Sequence, residues 1–145
     1  MSQDTMQDSL IEDSAAKLFS TQVDKDRRLR AETGEWDAPL WAQVADSGFH
    51  LLLATEKAGG FGEGWTAAYP LLRGLGYWQV PLPLAETLVA AQLASLAGFD
   101  LPSGPLTLIE QGQGNQLTVS GSGAFAVASL GPDPSDLPVQ IVLQD

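Results

Sequence analysis

Asp37-Ala-Pro-Leu-Trp-Ala-Gln-Val-Ala-Asp-Ser-Gly48-Phe49 carries a start signal, an apolar face and a stop signal for one helix. Asp37 can accept a hydrogen bond from the first free amides, and Pro39 sits in the first turn, where a missing N–H is no loss. Gly48 suits the left-handed stop position. If Gly48 takes that position, Phe49 follows it and can touch Val44, the apolar contact that accompanies a Schellman ending. Trp41, Val44 and Ala45 are then expected to face a core.

Upstream, Met6, Leu10, Ile11, Ala15, Leu18 and Phe19 recur at steps that place them on one face of a first helix. Thr5 to Asp8 and Ser9 to Glu12 both have the capping-box spacing, so two starts are open. Between these helices, Asp24 to Glu35 is the most charged stretch. Its Asp24, Asp26, Glu32 and Glu35 neutralise much of the field of Lys25, Arg27, Arg28 and Arg30, so it reads as a solvated connector or short helix, not a phosphate-binding patch.

Downstream, Thr55-Glu-Lys-Ala-Gly-Gly-Phe-Gly-Glu-Gly64 demands a tight loop, and it matches neither G-x-x-x-x-G-K-[ST] nor G-x-G-x-x-G after a strand. Trp65 to Leu75 is predicted to be a helix stopped by Gly76, with a kink or a late start at Tyr69 because Pro70 lies inside it. Pro81-Leu-Pro83 leads into Leu84 to Ala97, a helix apolar nearly all round and closed by Gly98. Glu86, Thr87, Gln92 and Ser95 interrupt it, and it falls short of the roughly 20 residues that span a bilayer. It needs cover on most sides, and apolar surface left exposed along it predicts self-association.

From Gly104 the period becomes alternating. Leu106–Ile109, Gln116–Ser120, Ala124–Ala128 and Val139–Leu143 are predicted strands. The expected architecture is a mainly α helical-bundle domain over residues 1–103, followed by a partial antiparallel β segment over 104–145, α+β overall.

The 145 residues carry a net charge of −11 and no cysteine. That charge argues against nucleic acid and anionic membranes as partners. The acidic start lacks the basic and apolar regions of a secretion signal, so a soluble, cytoplasmic protein is expected. His50 is the only histidine, so any nucleophilic triad would have to use it, and no G-x-S-x-G occurs to supply the nucleophile; flanked by Phe49 and Leu51, it reads as a packed or surface residue. Carboxylate neighbours such as Glu12 and Asp13 diverge on a helix, and H-E-x-x-H and EF-hand spacings are absent. No catalytic residue and no metal are therefore expected. From Gly74 to Asp145 there is no Lys or Arg, so an anionic cofactor bound there would depend on backbone amides, helix starts or another polypeptide.

The order of the pieces adds a further signal. Leu40-Trp41 with Ala45-Asp-Ser-Gly48-Phe49 is followed by Glu56-Lys-Ala-Gly59-Gly60-Phe61-Gly62, then Leu71-Leu72-Arg-Gly-Leu75-Gly76, then Pro81-Leu-Pro83-Leu-Ala-Glu-Thr87 and Leu101-Pro-Ser-Gly104. This order resembles the acyl-CoA dehydrogenase family, well over Ser9 to Gly104 and loosely beyond. The resemblance implies an amino-terminal helical domain that precedes a central β domain and a four-helix domain, with FAD as cofactor and an acyl-CoA thioester as substrate. In that family a glutamate base removes the α proton and the β hydrogen passes to the flavin as hydride.

The glutamate of the family belongs to the carboxy-terminal domain, and Leu106-Thr-Leu-Ile-Glu-Gln-Gly-Gln-Gly does not match its T-E-x-x-G-S-D-like flavin segment. The chain alone is thus expected to be inactive and to bind no FAD. The helical domain walls one side of the acyl cavity in the family, which singles out Thr87, Ala91 and Ala94, at i, i+4 and i+7, as the substrate pocket wall. The same stripe could instead permit close helix packing. Two functions follow: a fragment or subunit of such an enzyme, within a homo- or hetero-oligomer, or a non-catalytic helical assembly module that pairs with another chain.

Overall fold

A computed structural model describes residues 3–108, 116–120 and 140–144, in two compact units, Met1–Thr107 and Leu108–Asp145. The first unit is built of α1 (Gln3–Gln22), α2 (Lys25–Glu32), α3 (Ala38–Asp46), α4 (Trp65–Tyr77) and α5 (Leu84–Leu96), with single 3₁₀ turns at Phe49–Leu51 and Glu56–Ala58. The second contains β1 (Gln116–Ser120) and β2 (Gln140–Gln144).

α1 and α4 make the most extensive helix pair of the first unit. Gln7 Nε2 donates to Glu63 Oε1 near one end, and the Phe19 ring lies against Gly74 near the other. The two helices therefore run side by side in the same direction. Phe19, Leu40, Val44, Leu71, Leu84 and Leu88 are fully buried where the helices meet. The face predicted for the first helix is only partly used: Ala15 and Phe19 are buried, but Met6 and Leu10 are 57% and 64% exposed. Ile11, beside Leu10, is the residue of these turns that packs against the core.

The helix boundaries follow local chemistry. Asp24 Oδ1 accepts from Arg27 N at 2.8 Å and Asp37 Oδ1 from Leu40 N at 3.0 Å, each capping its helix. Gly48 takes the left-handed stop of α3 at φ 76°. Pro70 neither delays nor ends α4, which is helical from Trp65 onward. Pro70 is half-buried and Thr66, four residues before it, is exposed, so the carbonyl freed by the missing N–H is on a solvated side of the helix. α4 also passes Gly76 and ends at Tyr77, with Trp78 as its C-cap. Val80 N donates to Leu75 O at 3.0 Å and Gln79 N to Gly76 O at 3.2 Å, a full Schellman pair. The left-handed residue at this stop is Gln79, at φ 51°, where its Cβ is strained.

The α+β expectation is corrected by the structure. The described part of the first unit is helical and contains no strand. Leu106 to Leu108, predicted to begin a strand, is irregular, because the Leu106 N–H that a strand ladder would use is bonded to the Thr87 side chain. In the second unit β1 and β2 pair parallel, Gln116 with Gln140 through Ser120 with Gln144, and not antiparallel. Alternating side chains fix which face of a strand is apolar, but they say nothing of its neighbour's direction. The strand predicted over Ala124–Ala128 lies outside the described residues.

A left-handed conformation costs a non-glycine residue about 1–2 kcal/mol, so Gln79→Gly is predicted to raise the unfolding free energy by about 1 kcal/mol in urea titration. A loss of stability would show that the Gln79 side chain holds the α4 ending.

Candidate functional site

The glycine-rich loop is a closed brace. Five successive amides turn inward: Gly59 N to Glu56 O, Gly60 N to Thr55 O, Phe61 N to Leu51 O, Gly62 N to Ala54 O and Glu63 N to Leu52 O, all between 2.8 and 3.1 Å. A Cβ on Gly60 would lie 2.2 Å from the carbonyl oxygen of Ala54, so only glycine allows the chain to double back this tightly. The Phe61 ring leans over Gly48, where a Cβ would come within 2.8 Å of it. The loop is thereby joined to the end of α3. On its other side, Thr55 N donates to Ser95 Oγ of α5 at 3.1 Å, and Ser95 Oγ donates to Gln92 O at 2.9 Å. A phosphate cradle needs free amides pointing outward; those of residues 59–63 are all spent.

Thr87 is the second polar anchor of α5 and is 1% exposed. Its Oγ1 lies 2.8 Å from Pro83 O and 3.2 Å from Leu106 O, with one proton to donate, and accepts from Leu106 N at 3.0 Å. Thr107 Oγ1 adds a bond to Glu86 Oε2 at 2.7 Å. The chain leaves α5 with Phe99 N bonded to Ala94 O at 3.0 Å, so residues 99–107 form a strap that returns along the helix. Seven residues separate Phe99 from Leu106 and seven separate Ala94 from Thr87. Extended chain would cover ~23 Å where the helix rises ~10 Å, and the bend at residues 103 and 104 takes up the slack.

Of the three predicted wall residues, Thr87 and Ala91 are buried within the unit and Ala94 is half-buried. The Thr87 hydroxyl is committed to the strap. Two surface depressions of the unit lie elsewhere: a wide, open one lined by Arg28, Ala31, Glu32, Gln79 and Pro81, and one of about 150 Å³ lined by Arg27, Arg30, Glu35, Trp36, Asp37 and Pro39. Neither touches the stripe.

Arg27 Nε approaches Asp37 Oδ2 at 3.4 Å in a mostly buried pair, and Arg30 Nη1 approaches Glu35 Oε1 at 3.7 Å on the surface. Asp37 therefore caps α3 with one oxygen and ties it to α2 with the other. Two basic residues of this stretch, Arg27 and Arg30, thus meet carboxylates, and Arg28 donates to Trp78 O at 3.3 Å.

His50 sits half-buried with its ring edge-on to Trp41, centroids 5.8 Å apart. Its Nδ1 is buried without a hydrogen-bond partner, and burial pushes its pKa below the ordinary 6.5. No nucleophile or carboxylate is bonded to it among the described residues. Nor do the described residues bring together three His, Cys, Asp or Glu side chains that could hold a metal ion, and no described helix is long and apolar enough to cross a membrane.

Sequence reasoning passed over Ser95 and Leu106. The signal for Ser95 was present, since a hydroxyl inside an otherwise apolar helix calls for a partner. Nothing in the sequence marks Leu106, whose role rests on its backbone. Comparison with models of known protein families, with curated protein sequences and with solved structures returns no match.

Thr87→Val keeps the shape but leaves the partly buried Leu106 N–H without its acceptor, and is predicted to cost about 1–3 kcal/mol and to speed hydrogen exchange at the Leu106 amide. Thr87→Ser should restore both; equal stability in all three proteins would contradict the anchor. For His50, a folded pKa below the unfolded value means that its stabilising contribution is complete above pH 6.5 and is lost as the pH falls through 6.5 toward the folded value. Wild type should therefore lose more stability than His50→Gln between neutral pH and pH ~5. Parallel losses in urea titrations at the two pH values would refute this.

Proposed function

We propose that the helical unit is the amino-terminal domain of an acyl-CoA dehydrogenase-type flavoprotein of the cytoplasm, and that α5 at Thr87, Ala91 and Ala94 forms one wall of the acyl-chain cavity in the complete enzyme. One observation carries the reading. The separate stretches on which the likeness rests meet in space: the end of the Leu40-to-Phe49 helix is seated under Phe61 of the Glu56-to-Gly62 loop, and that loop is bonded to α5. Residues that resemble a family only by order in sequence have no need to touch.

The chain's contribution in this reading is shape and exclusion of water. Thr87 and Ala91 are covered within the unit and Ala94 is half-buried, so in this reading the stripe backs the cavity wall and Ala94 is its most accessible point, with the apolar core keeping the wall rigid. The described residues do not fit a flavin pyrophosphate, since the loop amides are spent and no Lys or Arg occurs from Gly74 onward. FAD and the glutamate base are therefore assigned to the rest of the complete enzyme, and the helical unit alone carries out no step of the oxidation.

The test uses the complete, flavin-loaded enzyme with saturated acyl-CoA thioesters of increasing chain length. Flavin reduction by acyl-CoA is expected, and Ala91→Phe or the milder Ala94→Leu should lower kcat/KM for the longest chains by about tenfold while sparing the shortest, as pocket volume is removed. An unchanged chain-length profile would remove α5 from the cavity, and a flavin that no acyl-CoA reduces would end the reading.

A further inference from the structure

The outer side of α4 carries Trp65, Tyr69, Arg73 and Tyr77 at steps of four, a single unbroken ridge along the helix. All four are on the surface: Trp65 is 48% exposed, Tyr69 64% and Tyr77 74%, and Arg73 is exposed as well. No ion pair among the described residues involves Arg73. Trp, Tyr and Arg are the residue types that most often dominate the energy of protein interfaces. Nothing in the core requires three large aromatic side chains on this side, because α4 is anchored by Ala67, Ala68 and Leu71 on the other.

The order of the ridge specifies its partner. Laid antiparallel against a copy of itself about a two-fold axis through its centre, the ridge sets Tyr69 against the second copy's Arg73, and Arg73 against the second copy's Tyr69. Trp65 meets the second copy's Tyr77 at both ends. Each cation is thus given an aromatic face and each remaining aromatic another aromatic. No carboxylate stands on the ridge, so the net charge of −11 on each chain is kept away from the contact, and Gly76 beside it adds no bulk.

We infer that α4 is a self-association surface, through which two copies of this chain pair antiparallel by the Trp65–Tyr69–Arg73–Tyr77 ridge. A single helix ridge makes a contact at the small end of specific interfaces, so association is to be sought from micromolar concentrations upward. The apolar outer side of α5, at Leu93 and Leu96, is the competing surface, but it carries no group that would fix a partner or a register. The inference stands apart from the acyl-CoA reading and survives its failure.

Sedimentation of the full chain from micromolar to several hundred micromolar concentration tests it. Wild type should dimerise. Arg73→Glu alone sets carboxylates against tyrosine rings, and Tyr69→Arg alone sets arginine against arginine, so each should weaken association by about tenfold or more. Both positions are exposed, so both variants keep the fold. Mixed together, the two variants recover a dimer. One interface then holds an ion pair, between the carboxylate introduced at position 73 of one copy and the guanidinium introduced at position 69 of the other, together with one unaltered Tyr69–Arg73 contact. A monomeric wild type, association unchanged in either single variant, or a mixture that stays monomeric would each overturn the inference.

Discussion

The tightest constraint in the helical unit is the approach of Gly60 to the carbonyl of Ala54, closer than any side chain permits. It lets the chain turn back on itself so that the amides of residues 59–63 find carbonyls at Leu51, Leu52, Ala54, Thr55 and Glu56. With the loop closed, Phe61 caps the left-handed turn at Gly48 and the Thr55 amide reaches Ser95. α3, the loop and α5 are in this way held as one piece, and α4 starts from a fixed point at Gly64. Loosening the turn would release backbone groups that have no other protein partner nearby, a cost of about 1–3 kcal/mol each where they are buried.

α5 is held by its few polar residues. Its apolar side chains bury without direction, and a helix covered by Leu and Ala on most sides can rotate or slide at small cost. Ser95 and Thr87, buried near opposite ends, bind specific backbone groups of the loop and the strap and so fix the helix in register. The stripe of small residues gives the strap and loop close access to the helix.

Helices and their ends were legible in the sequence because caps and stops are local chemistry. Asp37, Pro39 and Gly48 act as their types predict, and Gly98 closes α5. Pro70 and Gly76 were misleading, since their cost depends on which side of α4 faces solvent, and that is decided by packing against α1. The exposure of Met6 and Leu10 has the same origin. Strand direction was beyond reach, because alternation constrains a face and a parallel ladder is set by the path between its strands. The Thr87–Leu106 clamp joins a side chain to a backbone nineteen residues on, and a backbone partner leaves no trace in residue type. For the candidate site, Thr87, Ala91 and Ala94 were correctly placed on one helix, but no residue type signals that the Thr87 hydroxyl is already engaged.

Whether the glycine loop is a structural brace is decided at Gly60. Unfolding free energies of Gly60→Ala and Gly64→Ala, measured side by side in urea, test this directly. A Cβ at Gly64 meets nothing within 4 Å and at Gly60 meets backbone at 2.2 Å. The brace predicts a loss of more than ~3 kcal/mol at Gly60, and a change within ~0.5 kcal/mol at Gly64. Equal, small effects at both positions would contradict it.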